Sequence, residues 1–124
     1  MRDLDRKALT KKAKRGFRGY PLATIAFYGP DDRRATKVAV GLVLEAGADP
    51  AHLERWFSET DARTDAAIAK RILAFLQERG ARSVVMADRI LGCPHEEGVD
   101  YEGEWCSTCT FWIGRDRLTG ETVH

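Results

Sequence analysis

Apolar residues along the chain fall into short runs that are separated by glycine, proline and acidic residues. The run LATIAFY at 22–28 lies between a proline and a Gly-Pro pair, and this pattern predicts a buried strand. A second apolar run at 84–87, in RSVVMAD, predicts another buried strand that ends at Asp88. Two such strands joined by helices are expected to pair in parallel through a right-handed crossover.

Three-and-four spacing of apolar positions predicts helices between these strands. Residues 31–46 and 64–79 both have this spacing, and a glycine follows each of them directly. ADPAHLERWF at 48–57 predicts a short helix, with Asp49 as its cap and Pro50 at its first position. After the cysteine-rich region, CTFWIG at 109–114 predicts a third strand.

The first 20 residues are a basic arm, which contains eight lysines and arginines and only two acidic residues, Asp3 and Asp5. A short helix from either aspartate would place apolar side chains on one side, but a solvated terminal segment is the expected structure. Its basic residues, Arg15 and Arg18 among them, suit an electrostatic contact with nucleic acid or with the acidic remainder of the protein.

These elements predict a single α/β or α+β domain. Its small, mostly parallel sheet of two or three strands would pack with two or three helices, and a zinc knuckle would cap it. The expected organisation is a basic arm at 1–20, an α/β core at 21–92 and a metal-binding segment at 93–124.

The strongest chemical signal is the spacing C-x-H-x10-C-x2-C in the stretch GCPHEEGVDYEGEWCSTC. Three cysteines cannot all pair with one another, whereas adding the histidine completes a Cys3His tetrahedral set for zinc. The predicted ligands are Cys93, His95, Cys106 and Cys109. The motif resembles the paired knuckles of zinc-ribbon proteins, with GCPH in place of the customary first Cys-Pro-x-Cys, and the resemblance covers residues 93–109 only.

Four ligands favour a structural zinc over a catalytic one, because catalytic zinc keeps a position open for water. The rival is a zinc-dependent hydrolase or deaminase that uses Glu96 or Glu97, since HEE at 95–97 matches the H-x-E of zinc nucleobase deaminases. Trp105 stands where that family has proline, and only ten residues separate the two halves. A thiol-redox pair, or cysteines without a special role, are the remaining alternatives.

The segment between the two ligand pairs is acidic and includes Tyr101 and Trp105. It suits a basic protein surface and has the wrong charge for nucleic acid, which the basic arm alone could bind. A further candidate ligand edge lies at the predicted carboxyl ends of the strands. Its residues are Asp31, Asp32, Arg33, Arg34, Asp88 and Arg89, for which helix capping and solvated ion pairs are the alternative.

No apolar run approaches the ~20 residues that a membrane span needs, and the N-terminus lacks the apolar centre of a secretory signal. We therefore expect a cytoplasmic protein with no membrane partner. Phosphate-loop, dinucleotide-binding and nucleophile-elbow motifs are absent from the sequence. The function expected from these observations is a small zinc-binding protein that acts as a non-catalytic binding or regulatory module.

Overall fold

A computed structural model describes residues 3–92, without the side chains of Asp3, Leu4 and Asp88. This part of the chain contains two helices and four strands. In chain order they are α1 (Asp3–Lys14), β1 (Leu22–Tyr28), β2 (Lys37–Val43), β3 (His52–Phe57), α2 (Ala66–Glu78) and β4 (Ser83–Ile90). Neither helix is long and apolar enough to cross a membrane.

The four described strands form one sheet in the order β3-β2-β1-β4. β2 is antiparallel to both β1 and β3, whereas β1 and β4 are parallel. The fold is therefore mixed α+β with a mostly antiparallel sheet. The predicted parallel pairing of the two apolar runs is confirmed, but the prediction of a mostly parallel sheet of two or three strands is wrong. Two further strands, β2 and β3, lie in ranges for which the sequence predicts helices.

The helix predicted over 31–46 is wrong, because this range contains a loop followed by strand β2. All residues from Lys37 to Leu42 are buried, on both faces of a strand that has neighbours on both sides in the sheet. Burial on both faces removes the alternation that marks a half-exposed strand, and the remaining apolar pattern also fits a helix. Even Lys37 is only 9% exposed, with its ammonium 5.9 Å from the ring centres of both Tyr28 and Phe57.

The short helix predicted over 48–57 is also wrong, because its second half is strand β3. Trp56 lies opposite Val38 of β2, and Leu53 lies opposite Gly41. The Trp56 ring packs edge-on against Phe75 of α2, with the ring centres 6.2 Å apart. Pairing with β2 thus outweighs the local Asp-Pro capping signal, which is weak evidence beside a complete strand ladder.

The helix predicted over 64–79 is confirmed as α2. The carboxylate of Asp65 caps it by accepting hydrogen bonds from the backbone N–H groups of Ala67 (3.0 Å) and Ile68 (3.1 Å). Gly80 ends it with a φ of +67°, in the left-handed region that favours glycine. The buried side of α2 is the side predicted from its periodicity, with Ile68, Ala69, Ile72, Leu73, Phe75 and Leu76.

The hydrophobic core lies between one face of the sheet and the two helices. Alternate residues of β1, Ala23, Ile25 and Phe27, face it and are less than 10% exposed. The expected solvated N-terminal segment is wrong for residues 3–14, which form helix α1 and contribute Leu9 to the core at 5% exposure. Helix α1 therefore packs against the body of the protein through an apolar side that includes Leu9, Ala8 and Ala13.

Replacing Leu9 with alanine should lower the free energy of unfolding by about 2–5 kcal/mol, because the change removes a buried side chain and leaves a cavity. Urea unfolding of this variant and of the exposed-site control Lys11→Ala measures the difference. Equal stability of the two variants would show that α1 does not belong to the cooperative core.

Candidate functional site at the carboxyl ends of β1 and β4

The parallel strands β1 and β4 end at the same edge of the sheet. The N–H of Leu91 donates to the carbonyl of Phe27, and the N–H of Gly29 donates to the carbonyl of Gly92, both at 2.8 Å. Gly92, the last residue that the structure describes, is thus held beside the first residue after β1. The chain continues from this point to Cys93.

The loop from 29 to 36 leads from β1 to β2 and contains four of the predicted ligand-edge residues. Asp31 turns its carboxylate back onto the loop, accepting hydrogen bonds from the N–H groups of Arg33 (2.9 Å) and Arg34 (3.3 Å). The side chains of Asp32, Arg33 and Arg34 are exposed. A Cβ at Gly29 would overlap the Arg34 carbonyl oxygen, so the loop can close only over a glycine.

Asp61 and Arg63 hold this loop from the connection between β3 and α2. The Asp61 carboxylate accepts from the N–H of Ala35 (3.3 Å) and from Nε (3.0 Å) and Nη2 (2.7 Å) of Arg63. Arg63 Nη2 also donates to the carbonyl of Arg33 at 2.6 Å. These contacts form a clamp, defined here as Asp61 and Arg63, that fixes the position of the loop after β1.

The clamp changes the acidity of both of its members. Hydrogen bonds from the Arg63 side chain hold the pKa of Asp61 below its ordinary value, against the opposing effect of partial burial. The same contact raises the pKa of Arg63. Sequence reasoning missed this pair, whose only signal is the D-x-R spacing in the polar run SETDARTD.

Strand β4 is irregular close to this edge. Ile25 pairs with Met86 but Phe27 pairs with Ile90, so the residues from Ala87 to Arg89 bulge opposite the single residue between them on β1. Such bulges redirect side chains and are common beside functional sites. The Nε of Arg89 is buried, and within residues 3–92 it donates to no acceptor. Asp88 lies in the same bulge, but its side chain is outside the described part.

An apolar cleft of about 230 Å³ lies between α1, α2 and the sheet. Its walls include Leu9, Phe27 and Met86, and Arg6 and Arg63 contribute its charged groups. Sequence reasoning did not predict this cleft, because its walls come from elements far apart in the chain.

No family model, curated protein or solved structure matches this chain. The function of this chain is therefore inferred from its own residues. The predicted zinc ligands Cys93, His95, Cys106 and Cys109 lie outside the described residues, as do Glu96, Glu97, Tyr101 and Trp105. Within 3–92, no group of three or more histidine, cysteine or acidic side chains could hold a metal ion. The zinc site thus stays a prediction from the sequence.

The polar residues beside the clamp serve the fold. Ser58 Oγ donates to Asp65 Oδ2 at 3.4 Å and lies 3.2 Å from Thr60 Oγ1, so it belongs to the cap of α2. His52 is exposed on β3. The predicted partner residues Arg15 and Arg18 are exposed directly after α1.

Replacing Asp61 with asparagine should lower the free energy of unfolding at pH 7 by about 1–2 kcal/mol, because an ion pair that is one-fifth to one-third exposed is lost. The pKa of Asp61 is lower in the folded protein than in the unfolded chain. Ionised Asp61 therefore stabilises the fold fully above the ordinary carboxyl pKa of about 4. This stabilisation is lost as the pH falls through the lowered pKa.

Urea unfolding between neutral pH and about pH 2 measures this pH dependence. The wild-type advantage over Asp61→Asn should shrink only below about pH 4. Asp49→Asn, which changes an exposed carboxylate in the connection between β2 and β3, is the control and should leave stability nearly unchanged. Equal losses from the two variants would contradict the clamp.

Proposed function

We propose that this protein is a small zinc-binding module in which Cys93, His95, Cys106 and Cys109 form a closed structural site. The observation that carries the proposal is the spacing C-x-H-x10-C-x2-C, which supplies one complete tetrahedral Cys3His set. Four protein ligands leave no open position for a reacting water. The zinc therefore stabilises the C-terminal segment and does not catalyse a reaction.

The position of Gly92 supports this proposal. Hydrogen bonding of Gly92 to Gly29 means that the first ligand, Cys93, directly follows a residue held by the sheet. A ligand close to a fixed point loses less conformational freedom when the metal binds. We accordingly propose that the zinc knuckle packs beside the carboxyl ends of β1 and β4.

The proposed activity is binding, and two oppositely charged segments support it. The segment between the ligand pairs carries five carboxylates with Tyr101 and Trp105, and we propose that it contacts a basic protein surface. The N-terminal segment carries the opposite charge and is the proposed contact for nucleic acid. Thiolate ligands require reducing conditions, in keeping with a cytoplasmic location.

Elemental analysis of the purified chain should find one zinc per molecule. Removal of the metal by a chelator, or the substitution Cys106→Ser, should lower the melting temperature markedly, since structural zinc contributes about 10–16 kcal/mol of apparent binding free energy in finger peptides. Ser107→Ala, at the next position, is the matched control and should keep both the metal and the melting temperature.

Zinc should also be released on acidification, because the ligands must be thiolates and a neutral imidazole. X-ray absorption of the zinc-loaded protein separates the closed site from its rival. Three sulfur ligands and one nitrogen support the structural role, whereas a bound water would support a hydrolase or deaminase that uses Glu96 or Glu97. The proposal would be refuted if the purified chain contained no zinc and if its melting temperature did not change after treatment with a chelator.

A further inference from the structure

Helix α1 has one apolar and one basic side. Leu9 is buried against α2 and the sheet, whereas Lys7, Lys11 and Lys14 are exposed. Their spacing of four and three residues places these lysines on one side of the helix, in a row about 10 Å long. Arg6 and Thr10 lie beside the row on the same open surface of the helix. The three lysines are called the lysine row.

An exposed aromatic pair follows the lysine row. Phe17 is 62% exposed, and its ring meets the Tyr20 ring edge-on, with the ring centres 5.2 Å apart and the planes at 69°. Arg15 and Arg18, both exposed, stand on either side of Phe17 in the chain. Phe17 thus presents a solvent-accessible ring within a basic stretch of the chain, where it can contact a ligand that the cations also bind.

Ser83, at the start of β4, holds this aromatic segment in place. Its Oγ accepts from the N–H of Arg18 at 2.7 Å and donates to the carbonyl of Gly19 at 2.6 Å. The N–H of Arg82 donates to the carbonyl of Pro21 at 2.8 Å. Ser83 is only 2% exposed, so these bonds are shielded from water. The segment is thus ordered before any ligand arrives, which lowers the entropic cost of binding.

From this arrangement we infer that α1 and the segment after it form a binding surface for single-stranded nucleic acid. Phosphates lie along the lysine row and against Arg15 and Arg18, and an unpaired base stacks on Phe17. Single strands are favoured over duplex, because a base inside a duplex has no free face to offer the ring. The inference rests on the proposed binding role and is independent of the zinc.

The test is fluorescence anisotropy of the zinc-loaded full chain with a labelled oligothymidylate of about 16 nucleotides, over a series of salt concentrations. A duplex of the same length, anionic phosphatidylglycerol vesicles and polyglutamate are the competing probes. Circular dichroism melting of every variant checks that it is folded. The substitutions described below replace exposed side chains of the lysine row, of arginines and of Phe17, so the variants are expected to fold.

Phe17→Ala should weaken binding by about 5- to 150-fold, the loss typical of one base-stacking ring. Phe57→Ala is the matched control, since Phe57 is an equally exposed phenylalanine (70%) on β3, and it should leave binding unchanged. Lys11→Ala with Lys14→Ala should reduce the slope of log K against log salt by about 1.4. Lys70→Ala with Arg71→Ala removes the same charge from exposed positions on α2 and should not alter the slope.

Equal effects of Phe17→Ala and Phe57→Ala would overturn the inference, as would tighter binding to the duplex. Binding to vesicles or polyglutamate without binding to the oligonucleotide would assign the surface to a membrane or an acidic protein. Zinc content and binding can fail separately. If the chain contains no zinc but binds the oligonucleotide through Phe17, only the zinc site is refuted. If the chain contains zinc but does not bind the oligonucleotide, only this inference is refuted.

Discussion

The pairing of β1 with two different neighbours is the constraint on which the rest of the structure depends. β1 is antiparallel to β2 on one side and parallel to β4 on the other. A parallel neighbour requires a long connection, and here that connection contains β2, β3 and α2. Because parallel strands end at one edge, the same pairing brings Gly92 beside Gly29 and determines where the cysteine segment begins.

Polar contacts between distant residues then fix the loops that connect these strands. Asp61 and Arg63 hold the loop after β1, and Ser83 holds the segment between α1 and β1. Each anchor satisfies backbone groups that the sheet does not pair, which a partly buried loop requires. Both loops are thereby ordered by residues distant in sequence, and their exposed arginines and aromatic rings have defined positions on the surface.

The proposed role in binding follows from how the fold separates charge. The apolar side of α1 joins the core through Leu9, which leaves its lysines in a row facing solvent. The five carboxylates between the predicted zinc ligands belong to the part of the sequence that follows β4. One small protein thus combines a basic helix surface and an acidic segment, with a net charge of only +1.

Local sequence determined the elements whose signals agree with one another. LATIAFY, RSVVMAD and the helix capped by Asp65 could be predicted because apolar period, caps and flanking glycines all indicate the same structure. The spacing of Cys93, His95, Cys106 and Cys109 likewise predicts a metal from sequence alone. Tertiary structure decided β2 and β3, since burial of β2 on both faces hides its period and β3 forms only by pairing with it. It also decided the Asp61–Arg63 clamp, the anchor at Ser83 and the position of Phe17, because hydrogen bonds between residues far apart in the chain leave no local pattern.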